Sequence, residues 1–183
     1  MRPLEIGLII GAVVVVLIII WVITTINHFK MMKVKIEESL SSIDVSLNKR
    51  YDLLKKSMDV VKAYTTYEKN TLKEIVALRE GNKSLDNLVE IDKKISSGIR
   101  AVNALAEHYP ELKANTSYLA LQHQISDVEE NLQASRRIYN ANVSAYNQAI
   151  VVFPNSILAG SKHTKISFFE VEANKRDDIE IDL

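Results

Sequence analysis

The sequence predicts an all-α protein: an N-terminal transmembrane helix followed by an antiparallel bundle of three long helices. Three observations predict it. Glycine and proline number 5 and 3 in 183 residues, together about 4% where about 12% is average, too few for the turns of a β-rich fold. Residues 6–29 carry no Asp, Glu, Lys or Arg. Beyond them, apolar residues recur at steps of three and four, the spacing of one helix face.

The first element is the apolar run. A membrane span needs about 20 apolar residues, and the stretch from Ile6 to Ile23 with its flank is long enough. Trp21 lies near the downstream end, where an amphipathic ring suits the membrane interface. A cleaved leader would have a shorter apolar core and small residues at its end; Thr24, Thr25, Ile26, Asn27 and His28 provide no such site. The expected organisation is a short tail (1–5), an anchor (6–29), a helical bundle (30–170) and an acidic tail (171–183). Gly7 and Gly11 form a G-x-x-x-G step, a contact through which two anchor helices can approach closely. Lys30, Lys33 and Lys35 follow the anchor whereas Arg2 precedes it, so the Lys/Arg count places the bulk of the chain in the cytoplasm.

The first bundle helix carries Ile36, Leu40, Ile43, Leu47, Tyr51, Leu54, Met58 and Val61 along one seam, widened by Val45, Leu53 and Val60. No Gly or Pro intervenes from Ala12 to Arg79, so anchor and bundle helix are free to be continuous, with Gly81 as the stop. A second helix starts near Ser84, follows Leu88, Ile91, Ile95, Ile99, Val102, Ala106 and Tyr109, and ends before Pro110. Asn115 caps a third helix running to Phe153 and Pro154 on Tyr118, Leu121, Ile125, Val128, Leu132, Tyr139, Tyr146 and Phe153. Short connections at Gly81 and Pro110 imply antiparallel neighbours. The unequal lengths leave two alternatives, an overhanging helix or a bend that adds a fourth short segment. Phe168 and Phe169 are expected to clamp back on the bundle. Ile179, Ile181 and Leu183 alternate with acids, either a frayed tail or a strand offered to a partner.

Composition excludes several chemistries. Lys+Arg and Asp+Glu both total 23, unlike the basic surface of a nucleic-acid binder, so no nucleic-acid partner is expected. Cysteine is absent, which removes disulfides, thiolate metal sites and thiol nucleophiles. The residues three before His28, His108, His123 and His163 are Thr25, Leu105, Ala120 and Gly160, so no Glu-x-x-His metal pair exists. His123 and Asp127 share a face, but two ligands do not hold a metal. No phosphate loop or nucleophile motif is present. The expectation is a protein that is not an enzyme, with no cofactor, metal or catalytic residue.

One pattern stands out. Tyr139-Asn140 and Tyr146-Asn147 repeat a dipeptide seven residues apart, placing both tyrosines on one stripe. Such a ladder either recognises a ligand or another subunit, or fixes register inside the fold, with tyrosine hydroxyls at the bundle edge and asparagines bonding across helices. Phe153 and Pro154 are expected to stop the helix with an apolar plug.

In this order the pieces resemble the LemA family of bacterial membrane-anchored proteins. The resemblance runs through residues 42–54 (SIDVSLNKRYDLL), 61–64 (VKAY), 68–72 (EKNTL), 109–115 (YPELKAN), 119–122 (LALQ), 137–140 (RIYN), Tyr146-Asn147, Phe153-Pro154 and 168–170 (FFE). It implies a short tail, one anchor helix in the inner membrane, a helical-bundle domain and no assigned enzymatic activity. It also implies an outside N-terminus with a cytoplasmic bulk, though envelope-facing placements are also proposed for the family. Two places depart from the family pattern. Lys55-Lys56 stands where Pro-Asn is usual, and Lys162-His163-Thr164 replaces a Phe-Gly-Phe segment. Two functions follow as expectations. One is a structural or adaptor protein, a homo-oligomer on the lipid bilayer that can tether a membrane or envelope protein. The other is a sensor binding a small ligand or peptide within the bundle.

Overall fold

A computed structural model of the chain describes residues 3–62 and 84–170. It contains α1 (Pro3–Val61), α2 (Leu85–His108), the single turn α3 (Pro110–Lys113), α4 (Thr116–Ala149) and the short α5 (Asn155–Ala159), then a 3-10 turn at Gly160–Lys162. No strand occurs among the described residues. The all-α fold with a long apolar N-terminal helix and a helical bundle is therefore as the sequence predicts. The expected anchor and the first bundle helix belong to one helix, α1. The expected run to Arg79, the stop at Gly81 and the acidic tail lie outside the described residues.

The chain forms two compact units, Ser39–Tyr139 with Phe168–Leu183, and Met1–Glu38 with Asn140–Ser167. The first, the bundle unit, buries the seams the sequence predicts. Ile43, Leu47, Leu54, Met58 and Val61 of α1, Leu88 to Ala106 of the α2 seam, and Tyr118, Leu121, Ile125, Leu132 and Tyr139 of α4 are all buried. Val45 is 50% exposed. Two residues from both Ile43 and Leu47, it falls on the opposite side of the helix, so it does not widen the seam. Tyr109 also leaves the seam: ahead of Pro110 it takes an extended backbone (φ −123°, ψ 91°), as the proline ring demands.

Helix ends follow local chemistry. Ser84 Oγ accepts from the Asn87 amide at 3.3 Å, and Asn115 Oδ1 accepts from the Ser117 and Tyr118 amides at 2.9 and 3.1 Å, satisfying donors that a helix start leaves open. Tyr118 Oη donates to Asn103 Oδ1 at 3.0 Å, joining α4 to α2. Leu112 of α3 is fully buried. Of the phenylalanine pair, Phe169 is buried and Phe168 is exposed, so one ring and not both clamps the chain.

In the second unit, α1 and the end of α4 run antiparallel: Asn142 Nδ2 donates to the Lys35 carbonyl at 3.2 Å, and four residues later Tyr146 lies under Lys33 Nζ. Phe29, Ile36, Val143, Tyr146, Ile150 and Ala159 are buried. The helix ends at Ala149, four residues before the expected stop, because three bulky residues precede a proline and the residue before proline is driven out of the α region. The Val151 and Val152 amides both donate back to the Gln148 carbonyl, closing a turn. Phe153 is 76% exposed, so it plugs nothing. Gly160 closes α5 with φ at +47°, where a side chain is disfavoured.

Candidate functional site

Two polar arrangements organise the molecule, one in each unit. In the bundle unit, Asp92 of α2 receives two arginines. Arg50 Nη1 of α1 donates to Asp92 Oδ1 at 2.6 Å, and Arg136 Nη2 of α4 donates to Asp92 Oδ2. Arg50 Nη2 also lies 2.8 Å from Glu129 Oε2 of α4. The Arg50 and Asp92 side chains are 8% and 7% exposed. Two cations meet two anions, so the cluster is neutral and ties α1, α2 and α4 at one level.

Burial is the larger influence on these groups. It pushes the Asp92 carboxyl above the ordinary carboxylate range, while the guanidiniums of Arg136 and Arg50 draw it back. Burial likewise lowers Arg50, opposed by Glu129 and Asp92. Desolvation thus outweighs attraction, the usual balance for buried ion pairs, and such pairs serve alignment better than net stability. The seam positions hold the signal that could have revealed this cluster. Asp92 is four residues after Leu88, Arg136 four after Leu132, and Arg50 three after Leu47. Each apolar stripe is interrupted by one charge, with one sign on α2 and the other on α1 and α4.

In the second unit the tyrosine–asparagine dipeptide does its work on the chain's own C-terminal segment. Asn147 Nδ2 donates to the Ile166 carbonyl and Asn147 Oδ1 accepts from the Ile166 amide, both at 2.9 Å. The side-chain amide thereby pairs with an extended backbone as a neighbouring strand would. Tyr146 Oη lies 3.2 Å from His163 Nδ1, and the His163 ring packs on Phe29 with centroids 4.9 Å apart. His163, in the segment that departs from the family pattern, therefore meets α1 and α4 together. Burial, with Lys33 and Lys162 nearby, holds its imidazole below the ordinary value of 6.5.

The remaining singled-out residues fall elsewhere. Tyr139 is buried in the bundle unit, and Asn140 is half-buried. Phe153 and Pro154 lie on the exposed turn after α4. A Cβ added at Gly7 or Gly11 would meet nothing within 4 Å. His123 and Asp127 are both exposed, and among the described residues no group of three potential metal ligands occurs. An open groove of about 450 Å³ lies between α1 and α4 in the bundle unit, lined by Ser42, Val45, Ser46, Asn131, Ser135 and Ile138 among others. Its polar side chains bond their own helices: Ser46 to the Ser42 carbonyl, Ser135 to that of Asn131, Asn131 to that of Asp127.

Comparison with known proteins bears on the same regions. The LemA family model matches residues 39–183, which takes in the ion cluster and the tyrosine–asparagine segment. Protein LemA of Metamycoplasma hominis is 29% identical over 150 residues, covering 80% of this chain and 67% of that protein.

Proposed function

The chain belongs to the LemA family, and from that premise we propose that it is a membrane-anchored, non-enzymatic structural or adaptor protein that associates with itself. The observation that carries this reading is α1. One helix holds both an apolar stretch, exposed from Leu8 to Ile20, and the buried seam of the bundle. An apolar surface of that extent on every side of a helix is stable in lipid and not in water. By length and composition it is the one helix among the described residues able to cross a membrane.

Three measurements test the proposal and the cytoplasmic placement expected of the bulk. Extraction of membranes with alkaline carbonate should leave the chain in the pellet; release into the supernatant overturns the anchor. Light scattering of the full chain in detergent should give a mass above one copy, reduced by Gly7→Leu with Gly11→Leu; a monomer at every concentration overturns self-association. Labelling of cysteines introduced at position 2 and near the C-terminus, from intact cells, tests a cytoplasmic bulk. The chain has no cysteine of its own to interfere.

A second reading, a membrane-tethered sensor, draws on the groove between α1 and α4. A ligand there would raise the melting temperature by mass action on the folded state.

A further inference from the structure

We infer that the turn between α4 and α5 is a second membrane contact: Val151, Val152, Phe153 and Ile157 insert into the lipid interface beside α1. The inference rests on reading the apolar stretch of α1 as a membrane span. Its own support comes from the second unit alone.

The first support is position. Asn142 is level with Lys35, and the two helices run antiparallel. Eight residues further on, about 12 Å at the helical rise, α4 reaches Ile150, opposite the neighbourhood of Asn27. The turn beyond Ile150 therefore lies against the last two turns of the uncharged run. Burial along α1 agrees: Leu8 to Ile20 are exposed, Trp21 and Val22 are half-buried, and Thr25 and Phe29 are buried. The uncharged run of about 24 residues is roughly 36 Å long, against about 30 Å of hydrocarbon. Measured from Ile6, the hydrocarbon edge falls near Thr25, the level of the turn.

The second support is the surface itself. Val151, Val152, Phe153 and Ile157 are 55, 56, 76 and 66% exposed, in a stretch of seven residues at a chain reversal. The turn also closes most of its own backbone: the Val151 and Val152 amides donate to Gln148, Ser156 to Val152, and Ile157 to Pro154. Lipid contact requires that economy of free amides.

The third support is charge. No Asp or Glu occurs from Asn131 to Phe169 or from Ile6 to Ile36. Lys30, Lys33, Lys162 and Lys165 lie in the unit that carries the turn. Lysines at this level suit anionic headgroups while their stems lie along apolar surface.

The test uses the full chain in phosphatidylcholine–phosphatidylglycerol vesicles, with one nitroxide label at a time on Val14→Cys, Phe153→Cys, Ile157→Cys or Val34→Cys. All four side chains are exposed, so labelling leaves the packed core intact. Collisions with oxygen, which enriches in lipid, are compared with collisions with a water-soluble nickel chelate. Labels at 153 and 157 should resemble position 14 and not position 34, at a depth of about 5–10 Å, the range of interfacial segments. Lipid contact at 14 with aqueous values at 153 or 157 overturns the inference and leaves the anchor standing. Aqueous values at 14 overturn the anchor, and the inference with it. Exclusion of both reagents at 153 and 157 marks a protein neighbour and overturns lipid contact in favour of a second copy.

Discussion

The bundle unit and the unit containing the apolar stretch of α1 solve one problem, holding segments in register, with opposite chemistry. The bundle unit uses full charges: Asp92 buried between Arg50 and Arg136, with the more exposed Glu129 at the edge. The second unit uses neutral groups: an asparagine amide against the Ile166 backbone, and a histidine that meets the Tyr146 hydroxyl and the Phe29 ring. A buried charge left alone is costly, so a charged cluster is all-or-none, whereas a lost neutral contact costs only its own desolvation. The bundle is thereby built to align cooperatively, and the contacts of Tyr146 and Asn147 with residues 163–166, a clamp on that segment, to open locally.

That contrast can be broken most severely at Asp92. Asp92→Ala leaves two guanidiniums without their shared anion and should cost about 3–5 kcal/mol, read as a lower urea midpoint. Replacing the set together, with Arg50→Met, Asp92→Leu, Glu129→Met and Arg136→Leu, should retain or raise stability, as apolar substitutes for buried ion sets often do by about 1–4 kcal/mol. Broadened side-chain NMR signals in that fourfold variant would show that alignment is what the charges provide.

Asn147→Ala should cost about 1–3 kcal/mol by leaving the Ile166 amide and carbonyl unpaired. Its mark is faster hydrogen exchange near Ile166 with the bundle amides unchanged. Equal acceleration in both regions would erase the distinction between them. Ser84→Ala, which removes the cap of α2, should lower bundle stability by about 1 kcal/mol in a thermal melt.

The smallest effect is pH-dependent and belongs to the clamp. The folded His163 lies below its ordinary value of 6.5, so the unfolded or opened state takes up the proton first. Its contribution is fully present above 6.5 and is lost as pH falls through the lowered folded value. Protection of the Ile166 amide, taken relative to its intrinsic exchange rate at each pH, should therefore fall on mild acidification, and His163→Phe should remove that step while keeping a ring on Phe29.

Much of this was legible in the sequence because it depends on neighbours three or four residues away. The seams of α1, α2 and α4, the caps at Ser84 and Asn115 and the end of α2 before Pro110 all follow from such spacing. The errors share a cause as well. Phe153 continued a seven-residue spacing on paper, but the helix beneath it had already ended at Ala149. Tyr146 and Asn147 were visible as a pair, yet their target, 163–166, is remote in sequence and has no periodicity of its own.

By itself the sequence determined the all-α class, most of the stripe that each long helix hides and where an uncharged run suited to lipid begins. Those are local properties of rise and rotation along one chain. Only the tertiary structure decided that Arg50, Asp92 and Arg136 share one site, that His163 sits on Phe29, and that Asn142 is level with Lys35. Each depends on the stagger of one helix against another, and a repeating stripe fits several staggers until specific charges and amides select one.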